Sequence, residues 1–147
     1  MPRFRRTIPD LRRVGPVLPV RIEQVLAVQE ILRAEGSPVP SISVLAVLDT
    51  GASGTTIQSS VLEAFDIQPV GRVFFSTPST IEPQIRRQYR LRVVLSLGIG
   101  FETDVVEAPL GRHHIQCLIG RDILEQCILS YNGPKNQFTL NVPPERE

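Results

Sequence analysis

The residues with most chemistry to offer lie in one short run, VLAVLDTGASGTTI, at positions 44–57. An aliphatic segment runs directly into Asp49, Thr50 and Gly51. This sets a carboxylate at the end of a rigid element, a hydroxyl beside it, and a glycine where the backbone must turn tightly or admit a ligand. A carboxylate mounted in this way can be aimed at a reacting group, as general acid–base chemistry requires. Asp, Thr and Gly are also ordinary turn residues, so the same string can serve as a turn carboxylate capping its own loop. A second run, CLIGRDIL at 117–124, lies well downstream and passes from a strand-like segment into a helix-like one.

In this order and spacing, LDTGAS at 48–53 and LIGRDIL at 118–124 resemble the retropepsin-like aspartic proteases, the single-domain class with retroviral and bacterial members. The resemblance spans roughly residues 17–142. It implies an all-β fold, a closed β-barrel with one or two short helices, in which 72–97 is the flap hairpin and 128–142 the last hairpin. It makes Asp49 the catalytic residue and Thr50, Gly51 and Ala52 the supporting loop, with Thr50 bonding across a dimer axis and the Gly51 amide holding the carboxylate. Val47, Ser53 and Leu118 fall at substrate-binding positions, and Ser76, Thr77, Pro78, Ser79 and Thr80 are the flap candidates. Gly120, Arg121 and Asp122 belong to the structural motif behind the site.

Such enzymes use two aspartates, and the chain has one Asp-Thr-Gly and no internal repeat. The resemblance therefore implies a homodimer with Asp49 from each subunit on the two-fold axis. Two carboxylates that close share one proton and titrate as a pair. One takes a proton from water while the other donates to the scissile peptide. The implied activity is aspartic endopeptidase action on a peptide or protein substrate, without metal or cofactor. The alternative is a non-catalytic dimerisation or peptide-binding module on the same fold. Two departures from the pattern matter. Ala52 lacks a hydroxyl that could donate to the ionised pair, which predicts activity at mildly rather than strongly acidic pH. Ser53 stands where retroviral members often carry an Asp that pairs with the Arg of Gly-Arg-Asp, so Arg121 needs another acceptor.

The elements that must hold these residues are legible from composition and pattern. A chain of 147 residues, 41% hydrophobic and 21% charged, can bury the core of one domain. Sixteen basic residues against fifteen acidic ones produce no global field that would select nucleic acid or anionic lipid. No apolar run is long enough to cross a bilayer, and MPRFRRTIPDLRR lacks an apolar segment behind its charges, so a cytoplasmic protein is expected. Cys117 and Cys127 read as free thiols, and with His113 and His114 they lack the paired spacing of a zinc site.

Thirteen prolines and ten glycines cut the chain into short Val, Ile and Leu segments, the punctuation of an all-β domain. Residues 1–14 read as a basic arm, a solvated tail, and 15–147 as the domain. Strands are predicted at 17–23, 42–48, 55–58, 72–77, 86–97, 103–108 and 115–119, with a closing hairpin at 128–142. An amphipathic helix is predicted at 24–34, a short helix after a capping Ser59, and another at 121–127. Arg86, Arg90 and Arg92 share one face of their strand, read as the solvated one, and without interleaved aromatics they make a poor nucleic-acid platform.

Overall fold

The computed structural model describes residues 2–75, 82, 84–96, 98–110 and 114–144. Ten strands and four short helical segments follow one another: β1 (Arg3–Thr7), α1 (Leu11–Val14), β2 (Val17–Glu23), α2 (Leu26–Ala34), β3 (Ser41–Leu48), β4 (Thr56–Gln58), α3 (Ser59–Leu62), β5 (Gly71–Phe75), β6 (Gln84–Leu95), β7 (Gly100–Ala108), β8 (Cys117–Ile119), α4 (Arg121–Leu124), β9 (Ile128–Asn132) and β10 (Gln137–Asn141). The chain is all-β, as expected. Its helices are short, with nine residues in α2 and four in each of the others.

Six strands close on themselves in the order β2-β3-β8-β4-β7-β6, and β6 returns to β2 through Val20↔Leu95 to Glu23↔Arg92. Closure removes the sheet edges that an open sheet would expose. The alternation that predicted the strands now has its cause. In β2 the side chains of Leu18, Val20 and Ile22 point inward while Pro19 and Arg21 point out. Ala46, Ile57, Leu91, Val93, Val105, Cys117 and Ile119 fill the same interior and are fully buried. Each large aliphatic side chain buried there stabilises the fold by about 1.5–3 kcal/mol. The twelve residues of β6 pair with β7 along one edge and serve two partners along the other: the far half closes the barrel onto β2, and the near half pairs with β5 from Gly71↔Gln88 to Phe75↔Gln84.

Three expectations are corrected. Residues 3–7 are not a solvated tail: β1 pairs antiparallel with β10, which in turn pairs with β9. Phe4 packs on the buried Phe138, Leu11 is buried, and the Arg6 guanidinium donates to the Val17 carbonyl at 3.0 Å. Ser59 does not cap α3. The chain leaves β4 straight into the helix, Ser59 is its first residue, and no side chain caps it. In α2 the apolar periodicity marks the inward face only in part: Val25, Val28 and Leu32 are half-buried beside the buried Gln29, whereas Leu26 and Ile31 are exposed. The Gln29 amide donates to the Gln24 carbonyl at 2.6 Å and accepts from Arg33 at 3.1 Å, which satisfies a polar side chain that burial would otherwise penalise.

Candidate active site

The two informative runs meet through one pairing. β3 and β8 lie parallel with Ala46↔Cys117, Val47↔Leu118 and Leu48↔Ile119 in register, so both strands end at the same level. Asp49-Thr50-Gly51 leaves one strand end and Gly120-Arg121-Asp122 the other, and the Asp49 amide donates to the Ile119 carbonyl at 2.8 Å.

Further bonds clamp the first loop to the second. The Arg121 guanidinium donates to the Thr50 carbonyl at 2.6 Å, which supplies the acceptor that Ser53 does not. The Arg121 amide donates to the Ala52 carbonyl at 2.8 Å, and the Asp122 amide to the Ser53 carbonyl at 3.2 Å. The Asp122 carboxylate accepts from the Thr55 hydroxyl at 2.8 Å. The same carboxylate also takes the Thr55 amide at 3.3 Å, the Thr103 hydroxyl at 2.7 Å and the Ile123 amide at 3.0 Å. Gly120 permits this approach: a Cβ there would lie 2.3 Å from the Gly54 carbonyl oxygen, a backbone atom that cannot yield.

At the front of the clamp, Asp49 is half-buried and Oδ1 accepts from the Gly51 amide at 2.9 Å. That bond alone would suit a simple turn cap. What the turn reading leaves unexplained is the clamp, which holds the loop from Thr50 to Thr55 on an unrelated part of the chain. Thr50, Gly51 and Ser53 are exposed and Ala52 is half-buried, so the loop presents its outer side to the surroundings.

Val47 and Leu118 are half-buried and stand on the outward face of their strands, opposite the core residues Ala46, Cys117 and Ile119. Leu118 lines a cavity of about 280 Å³ between β4, β6, β7 and β8, whereas Val47 faces Gly15. A larger cavity of about 780 Å³ lies against the turn after α4, the start of β7 and the terminal segments, and none of residues 49–55 lines it. Size is a poor guide here, since the smaller cavity is the one that shares a strand face with the loop. Ser76, Thr77, Pro78, Ser79 and Thr80, the flap candidates, lie outside the described residues, as does His113.

Neither cysteine competes as a nucleophile. Both thiols are free; burial pushes Cys117 up to about 12, with the negative charge of Asp122 adding to it, and pushes Cys127 up to about 11. Among the described residues no group of three His, Cys, Asp or Glu side chains could hold a metal ion. Among the same residues no helix is long and apolar enough to cross a membrane.

Sequence reasoning missed Thr55 and Thr103, the hydroxyls that hold Asp122. Thr55 carried a signal, a polar residue opening a strand directly after the loop. Thr103 carried none, because its partner is set by the packing of β7 against α4.

Several solved structures are similar to the chain. A structure of the foamy viral protease-reverse transcriptase in complex with an RNA/DNA hybrid matches 75% of this chain at 20% identity and TM-score 0.49, and the chain spans only 11% of that protein. A retropepsin-like aspartic protease from Rickettsia conorii matches 86% of this chain and 92% of its own at 18% identity and TM-score 0.48. EIAV protease complexed with the inhibitor HBY-793 matches 56% of this chain and 75% of its own at 15% identity and TM-score 0.41. No family model and no curated protein matches.

Proposed function

We propose that the chain is an aspartic endopeptidase that works as a homodimer, with Asp49 of each copy forming the catalytic pair. The observation that carries this reading is the clamp: six hydrogen bonds from Ile119, Arg121 and Asp122 hold the Asp49 loop at the common end of β3 and β8. A turn needs no such support, whereas a carboxylate that must meet a second one within a few ångströms does.

The chemistry follows from that pairing. Like charges so close cannot both ionise cheaply, so the pair holds a single proton. The ionised member takes a proton from a water, which attacks the peptide carbonyl, and the protonated member donates to the carbonyl oxygen and then to the leaving amine. The Gly51 amide fixes Oδ1, which leaves the second carboxylate oxygen to face the reacting water. The exposed backbone of Thr50 and Gly51 is the surface a second copy would cover.

The test is cleavage of a peptide library by wild type and Asp49→Asn across mildly acidic to neutral pH, at concentrations where sedimentation establishes a dimer. Wild type should cleave, and its specific activity should fall on dilution through the dimer dissociation constant. Cleavage retained by Asp49→Asn would end the reading. Peptide binding without turnover by a confirmed dimer would mark a non-catalytic module instead.

A further inference from the structure

The outward face of the barrel carries a continuous row, because the registers place Val47 beside Leu118, Leu118 beside Thr56, Thr56 beside Val106 and Val106 beside Gln88. All five side chains are half-buried rather than solvated. Val47 stands two residues before Asp49, so the row starts at the candidate catalytic loop. The cavity of about 280 Å³ opens on it, lined by the apolar groups of Val106, Leu110 and Leu118 and by Thr56.

One described member of the lining is a cation. Arg86, on the same face of β6 as Gln88, turns into the cavity instead of lying on the solvated face that strand alternation predicted. Its Nε is buried and has no hydrogen-bond partner among the described residues, while Nη2 donates to the Gln84 side chain. The one carboxylate among the described residues of the lining, Glu107, is already engaged: it accepts from the Arg87 guanidinium at 2.7 Å, and its charge holds the Arg87 proton more firmly. Among the described residues Arg86 is therefore the cation in the lining with no anion of its own, and an orphaned, buried N–H costs free energy until an acceptor arrives.

We propose that Arg86 is a specificity-determining residue and that this cavity takes an acidic side chain of the substrate, Glu above all. The Glu methylenes would lie against Leu118, Val106 and Leu110, and its carboxylate would accept from Nε. A guanidinium and a carboxylate form charge-assisted bonds about twice as strong as neutral ones. A cavity of this size admits one side chain, not a whole peptide. The inference rests on reading Asp49 as the centre of peptide cleavage.

The experiment scans an extended-peptide library one position at a time with Glu, Gln, Leu and Lys. Cleavage is followed with wild type, Arg86→Met and Arg86→Lys, and binding of the same labelled peptides by fluorescence anisotropy with Asp49→Asn and Asp49→Asn/Arg86→Met. One position should prefer Glu over Leu at least tenfold in kcat/KM, Arg86→Met should reverse that order, and Arg86→Lys should retain part of it. Thermal melting of the Arg86 variants separates misfolding from lost recognition. Cleavage with no Glu-preferring position, or a preference that survives Arg86→Met, overturns the role of Arg86 and leaves the protease reading intact. Glu-dependent binding lost in Arg86→Met with no cleavage by any form sustains Arg86 and sinks catalysis. Neither binding nor cleavage overturns both.

Discussion

The two sides of the loop junction answer the same physical demand in opposite ways. Behind it, the Asp122 carboxylate accepts from four donors, and Gly120 meets Gly54 backbone to backbone. In front, among the described residues, the Asp49 carboxylate accepts from one amide, and its neighbours Thr50 and Gly51 are exposed. Two aspartates that look alike in sequence are thus a saturated anchor and an under-coordinated group. Saturation makes a carboxylate inert and stabilising, whereas an aimed carboxylate with open valences costs stability and is available for chemistry.

The sharpest way to break this contrast is to remove each carboxylate in turn and read both activity and stability. Asp49→Asn should lower cleavage on the order of 10³-fold while changing the unfolding free energy by less than about 0.5 kcal/mol, since the Asn side-chain oxygen can still accept from Gly51. Asp122→Ala should do the reverse in kind. It strands the donors of Thr55 and Thr103 and loosens the clamp, with a loss of about 3 kcal/mol in denaturant unfolding, and activity falls only as the loop loses its place. If Asp122→Ala unfolds no more easily than Asp49→Asn, the anchor reading fails.

Alkaline titration sharpens the same difference through Cys117, which lies in the barrel interior and feels Asp122. Its thiol is raised from 9.0 to about 12 by burial and by the carboxylate, so the folded chain keeps a proton that the unfolded chain releases first. The stabilising difference is fully present below about pH 9 and is lost as pH rises through the folded value. Over that window stability should fall by up to about 1.4 kcal/mol per pH unit. Cys117→Ala should flatten this limb, as monitored by thermal melting at pH 8, 9 and 10; a limb of unchanged slope would locate the alkaline sensitivity elsewhere.

What was legible in the sequence divides along the line between local and non-local causes. Residues 17–23 form a strand at those positions because their alternation is the inside and outside of the barrel. LDTG and IGRD were readable as a pair through their resemblance to the retropepsin-like aspartic proteases, while residue type alone offered an aimed carboxylate and a tight turn at Gly51. β1 was not readable: RFRRT has one apolar residue, and its partner β10 lies at the far end of the chain. Nor could alternation show that Arg86 would be turned from solvent, since that depends on Leu118 and Val106 standing beside it from other strands. The burial of Gln29 follows from the free carbonyl of Gln24, which no helical periodicity contains.

The smallest expected effect tests how finely the front of the junction is tuned. Ala52 is half-buried and its amide donates to the Asp49 carbonyl at 3.2 Å, so residue 52 turns within reach of the carboxylate it follows. A Ser hydroxyl there would add a donor to a group that, among the described residues, has only the Gly51 amide. A donor favours the charged form, so the ionised member of the pair would persist to lower pH. Ala52→Ser should therefore move the acid limb of the kcat/KM profile downward and leave melting nearly unchanged, because an exposed-side methyl-to-hydroxymethyl change fills no cavity and breaks no bond. An acid limb that stays in place would mean that the front of the junction is already as well donated as the back. In that case the donors that Asp49 lacks in its own loop would come from the second copy.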